Sequence, residues 1–427
     1  MSCFSCKKQT ETMQEESSTV HSEVYIYGGS LNEIGKAVVA TPDGGFAVLG
    51  SAQSLDGDLE GKGDDSFDFW LLRFDAQGNL LWEETYGSSG DDRGTDLVLR
   101  PEGGFVLTGS RESTIDGMES SNLWILAVDE MGTLLWDKTF GFAGTDFGTC
   151  LVATPDGGYA VTGVLDVTAS QGQGNKLRKH AGGDYWVLKL NAEGELIWQN
   201  YFGGLQTDTP FAIALASDGG FFVAGSSDSE DSDISENRGS YDAWLVKLSA
   251  NGQLLWERSY GGSQMDTAYD MAVSENGNIV LVGDTRSSDQ QILQNKGGAD
   301  LWYWRLNAEG ELIEQKTFGG SDFDVGRSLH ALSNGLWLLS GSSRSLDGDL
   351  ENNKGQNDAW TFVWDSKNNQ IIWRQTVGGS RIDFAYAATA LADGRWVTVG
   401  ESNSPDGDIP MNRGFSDLLL FINTKNH

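Results

Sequence analysis

The sequence predicts an all-β fold: a seven-bladed β-propeller of four-stranded blades, with an N-terminal strand completing the last blade. Three observations predict it. First, Trp82, Trp136, Trp198, Trp256, Glu314 and Trp373 fall in one register, 54 to 62 residues apart. A period of that length marks a solenoid, propeller or array. Second, every unit holds four strand-like runs bounded by turn residues. Third, the last unit stops one strand short, and the missing strand stands at the other end of the chain.

The elements follow in order within each unit. Strand A is "GKAVVATP" in the first unit, and strand B is "FAVLG". Between them lies Asp43-Gly44, and Asp-Gly, Glu-Gly or Asn-Gly recurs there through Asp393-Gly394. These dipeptides suit the positive φ of two-residue hairpins. A long polar loop leads to strand C, "FWLLRFD". A turn with Gly78, Gly132, Gly194, Gly252 or Gly310 leads to strand D, "NLLWEETYG"; the sixth unit has Asn368-Asn369 there. The chain ends on a strand C, "LLLFINTKNH", while "EVYIYGG" from Glu23 aligns with the end of a strand D. A strand from one terminus that completes the sheet at the other closes a ring and hides its edges. The units are 28–87, 88–141, 142–203, 204–261, 262–319, 320–378 and 379–427 plus 23–27, with a tether over 1–22. Strands alternate in direction, so the D-to-A and B-to-C loops share one face. That face carries the length and the charge, and function is sought there.

Two acidic positions repeat on it. Glu33, Asp92, Asp146, Asp208, Asp266, Asp324 and Asp383 open strand A, the innermost strand. They are expected to ring the mouth of the axis, either as turn caps or as a funnel for a cation. The second set stands two residues before the strand C Trp: Asp68, Asn122, Asp184, Asp242, Asp300 and Asp358, with Asp417 before Leu419. In the B-to-C loops Asp56 and Asp58, Asp347 and Asp349, and Asp406 and Asp408 form Asp-Gly-Asp pairs. Each pair offers hard oxygen ligands, which makes Ca2+ the one cofactor to consider. "DGDLEGKGDDSF" lacks the acid at its twelfth position that a helix-loop-helix calcium site needs, so self-capped turns are the alternative. The third loop is the longest and breaks the acidic pattern with Lys176, Arg178, Lys179 and His180, the candidates for partner contact.

The bulk composition narrows the function. A net charge of −33 and a pI near 4.3 exclude a nucleic-acid backbone or an anionic membrane surface as partner, because phosphate binding needs basic clusters. The 15 Trp, 19 Phe and 11 Tyr are ample for a core. Three cysteines make no disulfide scaffold, and Cys150 reads as a small core residue. At the start, "FSCKK" followed by a polar tether resembles the end of a bacterial lipoprotein signal, with Cys6 as the lipid attachment site. The four histidines show no metal-ligand spacing, and no phosphate-cradling loop appears.

The whole unit, "S-x-D-G-D … N-x-G-x-x-D-x-W … G-x-x-x-W … G-G-S-x-x-D … D-G-G-F", resembles a poorly characterised family of bacterial surface propeller lipoproteins. The likeness covers Glu23 to His427. It implies the propeller fold and a lipid-anchored place at the outer membrane or cell surface, on the outer or periplasmic side. "FDAQGNLLWE" is also similar to the Trp-bearing repeat of quinoprotein propellers. The expected function is a monomeric, non-enzymatic binding or scaffold module that engages a protein or carbohydrate on its acidic long-loop face. The alternative is an enzyme on the same fold, a polysaccharide hydrolase or lyase or a quinoprotein.

Overall fold

A computed structural model describes residues 20–115, 118–142, 144–167, 180, 182–274, 276–350 and 352–425. Within them lie seven four-stranded antiparallel sheets, and almost no helix. Strand A runs Glu33–Ala40, Asp92–Leu99, Phe147–Ala153, Asp208–Leu215, Asp266–Val273, Asp324–Ala331 and Asp383–Ala390 in blades one to seven. Each strand A touches the strand A of the next blade, the seventh touching the first, so the strands form a closed inner ring.

The closure is the one expected. Val20–Tyr27 pairs antiparallel with Asp417–Lys425, with Tyr25 opposite Leu420. This strand starts three residues before the Glu23 read from the sequence. A buried side of Ile26, Leu419 and Phe421 packs on Ala359 and Val377 of blade six. The edge strand of blade seven is therefore the first strand of the chain, and the ring has no seam of unpaired backbone inside it.

The core lies between blades, not within them. One cluster joins Val399, Leu418 and Leu420 of blade seven to Phe46, Val48 and Trp70 of blade one, and equivalent clusters fill the other junctions. Strand C is buried on both faces and reads as a continuous apolar run. Its Trp is buried, and its indole N–H donates to strand D: Trp70 to Glu83, Trp124 to Asp137, Trp186 to Gln199, Trp244 to Glu257 and Trp302 to Gln315.

The strand D Trp does something different. A Cβ added to Gly132, Gly194, Gly252 or Gly310 would come within 3.0 Å of Trp82, Trp136, Trp198 or Trp256, the Trp of the preceding blade. The ring sits on the C-to-D turn of its neighbour, and only glycine leaves room. Two departures from the repeat are thus one. Blade five has Glu314 in place of the Trp, and the turn it would have covered, in blade six, has Asn368-Asn369 in place of glycine. Asn369 keeps the positive φ, at 54°, and Glu314 pairs with Arg305 at 3.0 Å.

Two sequence expectations need correction. Except in blade six, where Asn334 and Gly335 both have positive φ, at 63° and 83°, and Leu336 N–H donates to Ser333 O, the A-to-B turns are not two-residue hairpins. In blade one Gly44 N–H donates to Thr41 O, Thr41 N–H donates to Gly45 O, and within the turn only Gly44 has positive φ. This is a three-residue loop, a type I turn closed by a left-handed glycine. In blade two the long polar loop is replaced by strand. Phe105–Ile115 and Met118–Val128 pair out to Ile115 opposite Met118. That stretch has no Asp-x-Asp to bend it, and its alternation of β-compatible residues continues the ladder.

Candidate functional site

The long-loop face is built by three sets of contacts that repeat around the ring. The acids that open strand A are buried, each with 0 % exposure. Asp266 accepts Gly262 N–H at 2.7 Å, Ser287 Oγ at 2.7 Å and Thr285 Oγ1. Asp324 and Asp383 hold Gly320 and Gly379, with Ser343, Ser345, Ser402 and Ser404. Glu33, Asp92, Asp146 and Asp208 likewise accept backbone N–H groups of their own D-to-A loops. These carboxylates pin loops and do not face solvent. The funnel for a cation is not formed, because every one of them is already enclosed by the donors it was recruited to satisfy.

The second acidic set lies against the first. Asp242, Asp300, Asp358 and Asp417 accept the backbone N–H four residues before them, from Arg238, Lys296, Lys354 and Arg413. Their other oxygen, Oδ1, has no hydrogen-bond partner among the described residues. A Cβ on Gly261 would meet both Asp242 Oδ1 and Asp266 Oδ2 within 2.8 Å, and Gly28, Gly203, Gly319 and Gly378 show the same pairing. Two carboxyl groups from adjacent blades thus share each of these junctions. Burial pushes Asp208 and Asp242 up to about 7, and Asp300, Asp358 and Asp417 up to about 6. The carboxyl across the junction adds to each rise.

The Asp-x-Asp loops are clasps. Their first Asp caps the D-to-A loop: Ser30 N–H donates to Asp56, Ser321 N–H to Asp347 and Ser380 N–H to Asp406, each at 2.7 Å. Their second Asp accepts the junction glycine, Gly28 to Asp58 at 2.9 Å, Gly319 to Asp349 at 3.0 Å and Gly378 to Asp408 at 3.2 Å. The same second Asp takes a cation from the preceding blade. Arg413 pairs with Asp58, Lys296 with Asp349, and Lys354 with Asp408. No group of three or more His, Cys, Asp or Glu among the described residues could hold a metal ion. In the pairs Asp56 and Asp58, Asp347 and Asp349, and Asp406 and Asp408, the two acids turn to different partners, and the second pairs with a cation of a neighbouring blade.

His180 belongs to this system. It stands four residues before Asp184, as Arg238 stands before Asp242. Its side chain is 0 % exposed, with Nδ1 2.5 Å from Asp184 and Nε2 3.9 Å from Asp233 of blade four. Tyr201 meets the ring edge-on at 5.1 Å. Lys176, Arg178, Lys179 and Cys6 lie outside the described residues.

One group on the axis was missed by the sequence reading. Strand A carries a β-bulge in every blade. The register skips Lys36, Thr95, Thr149, Phe211, Tyr269, Arg327 and Tyr386, each three residues after the opening acid. A bulge re-aims one side chain, and here it sets several of the seven against the equivalent residue of the next blade. Lys36 Nζ lies 3.5 Å from the centre of the Tyr386 ring. The Arg327 guanidinium lies 3.9 Å from that of Tyr269, and Phe211 packs on Tyr269 at 4.9 Å. Tyr386 donates to Glu401 Oε1 at 2.5 Å, and Ser416 to Glu401 Oε2 at 3.0 Å. On the other side Thr95 turns back to Gly148 O at 2.9 Å and Thr149 to Thr162 O at 3.2 Å. Burial pulls Lys36 down to about 8; Glu401 opposes this, and Arg327 and Arg93 reinforce it. Burial raises Asp284, close to Arg327, to about 6. Aligned A strands vary in chemistry at this position, but also at the residue after the acid and at the residue after the bulge, so the sequence does not single it out.

A cleft of about 760 Å3 opens among the turns of blades one and two, lined by Leu81, Trp82, Leu99 and Phe105. Its arginines are already paired, Arg73 with Asp43 at 2.6 Å and Arg100 with Glu102 at 3.6 Å.

No protein-family profile matches the chain. The regulatory protein FlaEY of Caulobacter vibrioides is 29% identical over 184 residues, 41% of this chain and 19% of that protein, so the match spans well under two thirds of the relative. Among solved structures, the chain is similar to the WD40 domain of Neurospora crassa Pan2, with a TM-score of 0.49 and 10% identity over 94% of this chain and 98% of that one. It is similar to a puromycin hydrolase S511A mutant, with a TM-score of 0.50 and 14% identity over 86% of this chain and 50% of that one. It is also similar to the quinohemoprotein alcohol dehydrogenase ADHIIG of Pseudomonas putida HK5, at 0.42 and 11% over 93% and 76%. The structural neighbours are β-propeller proteins, quinoprotein dehydrogenases among them, and the likeness is one of fold.

Proposed function

We propose that the chain is a non-catalytic binding module that engages a protein or glycan at the axial mouth of its long-loop face. The observation that carries this reading is the bulged ring. Loops, acids and clasps repeat because they build the fold, whereas the bulged position changes its chemistry from blade to blade. A site on a repeat protein is where equivalent positions stop being equivalent. We place the module at the bacterial cell surface or outer membrane, held by a lipid on Cys6, on the resemblance of its opening residues and repeat to surface propeller lipoproteins. The experiment is affinity electrophoresis of purified protein through gels containing neutral or acidic polysaccharides, with reducing ends measured in parallel. Retardation without new reducing ends supports a binding module. Release of reducing ends, or a cofactor absorbance band in the purified protein, refutes it in favour of an enzyme.

A further inference from the structure

The axial group carries a chemical preference that can be read from its charges. The protein has 62 acids and 29 bases, a net −33. Most bases on the long-loop face are matched by a carboxylate within ion-pair distance. Lys36 and Arg327 are not: among the described residues neither has a carboxylate within that distance. Both are half-buried, both stand over a tyrosine ring, and each lies in the field of the other. Two partly desolvated cations on neighbouring aromatic faces of one inner ring, in a protein with a large surplus of acid, are costly unless an anion completes them.

Glu401 and Asp284 flank the pair, the first holding Tyr386 and the second close to Arg327 and Tyr269. Carboxylates beside cations suit a ligand that brings both an anion and hydroxyl donors. The aromatic rings add faces for the C–H edges of a sugar. We infer that the axial group binds a carboxylated sugar, one uronic-acid residue of a glycan, with its carboxylate between Lys36 and Arg327 and its hydroxyls on Glu401 and Asp284. This rests on the binding reading above. The surrounding negative charge favours a single acidic residue in a mostly neutral glycan over a polyuronate, since repulsion beyond the roughly 8 Å screening length at physiological salt is weak while a run of acids meets it at close range.

The test is calorimetric titration of the full chain with three probes. These are a disaccharide carrying one glucuronic acid, the same disaccharide with glucose in its place, and a tetrapeptide with one glutamate. The uronate is expected to bind at least about tenfold more tightly than the neutral sugar or the peptide. Lys36→Met and Arg327→Met should each weaken uronate binding about tenfold or more. Lys36→Arg should retain most of it, and Arg381→Gln, an exposed cation of the same face, should leave it unchanged. Melting curves check that each variant folds. A folded wild type that ignores the uronate overturns the inference, as does uronate binding that survives both methionine variants. Equal binding of the neutral sugar, or tighter binding of the peptide, overturns the sugar assignment while leaving the binding reading intact. Absence of binding in the polysaccharide gels as well removes both.

Discussion

Asp383 is the sharpest test of how the long-loop face is held. It opens strand A of the ring-closing blade and has 0 % exposure. It accepts Gly379 N–H at 2.8 Å, Ser404 Oγ at 2.8 Å and Ser402 Oγ. Asp383→Ala leaves three donors without an acceptor. A buried donor left unmade costs about 1–3 kcal/mol. The Gly379 amide is fixed by the backbone and bears that in full, whereas the two hydroxyls can rotate towards other acceptors. The expected loss is about 2–5 kcal/mol, near the range for breaking a buried network. Asp383→Asn keeps the shape and one carbonyl acceptor and should lose about 1 kcal/mol. The assay is urea unfolding followed by Trp fluorescence, with Asp393→Ala, on the exposed A-to-B turn, as the reference. The reasoning fails if Asp383→Ala unfolds at the same urea concentration as Asp393→Ala, for then the carboxylate holds nothing. It also fails if the Asn variant loses as much as the Ala variant.

Four further outcomes follow from the same contacts. Removing residues 1–27 deletes the strand paired with Asp417–Lys425, and the product should run as oligomers or aggregate in size-exclusion chromatography; a stable monomer with native fluorescence contradicts closure by this strand. Gly252→Ala puts a Cβ 2.7 Å from the Trp198 ring at φ +76°, and should cost about 1–3 kcal/mol in urea with a shifted Trp emission maximum; Gly219→Ala, where the space is open, should cost less. Arg413→Met removes the cation that joins Asp58 and Gly28 O across the seventh-to-first junction; this half-exposed pair should cost only about 1 kcal/mol, read as faster amide exchange at Gly28 and Asp58. Stability should depend on pH in a stated direction. The junction carboxyls are raised to about 6 or 7, so the stability they confer is full below the ordinary aspartate value and is lost as pH rises through about 6–7. Asp43 and Asp156, held at about 2 first by Thr41 and Thr154 and then by Arg73 and Lys189, act only at the acid end, losing their share as pH falls through about 2. The melting temperature should therefore be higher at pH 5 than at pH 8; a melting temperature that rises monotonically to pH 8 refutes the buried carboxyl pairs.

The Trp–Gly contact shows how the repeat and the fold are one fact. Each blade supplies the ring, and the next supplies the gap. Blade five loses the Trp, and blade six loses the glycine in the same stroke. The clasps behave alike: where blade five has Gln291 instead of a second Asp, Arg238 of blade four turns to Glu236 and Ser259 O. Read along one unit these departures look like noise. Read across two adjacent blades they are paired, and that pairing is available to anyone who aligns each unit with its successor.

The order of strands, the count of blades, the turn glycines and the closing strand were determined by the sequence alone. They depend on local periodicity and on which unit is short, and both are one-dimensional. The fates of the acids were not. Whether Asp58 ligates calcium or clasps Arg413, and whether Asp383 faces water or Gly379, depends on which groups the ring brings together from some hundreds of residues away. The axial group depended on the tertiary structure most of all. A bulge shifts one residue without changing composition, so nothing in a run such as Glu33–Ala40 announces that Lys36 leaves the ladder. Only closure of the ring sets it over Tyr386, 350 positions on, because radial arrangement converts equal places in separate repeats into neighbours.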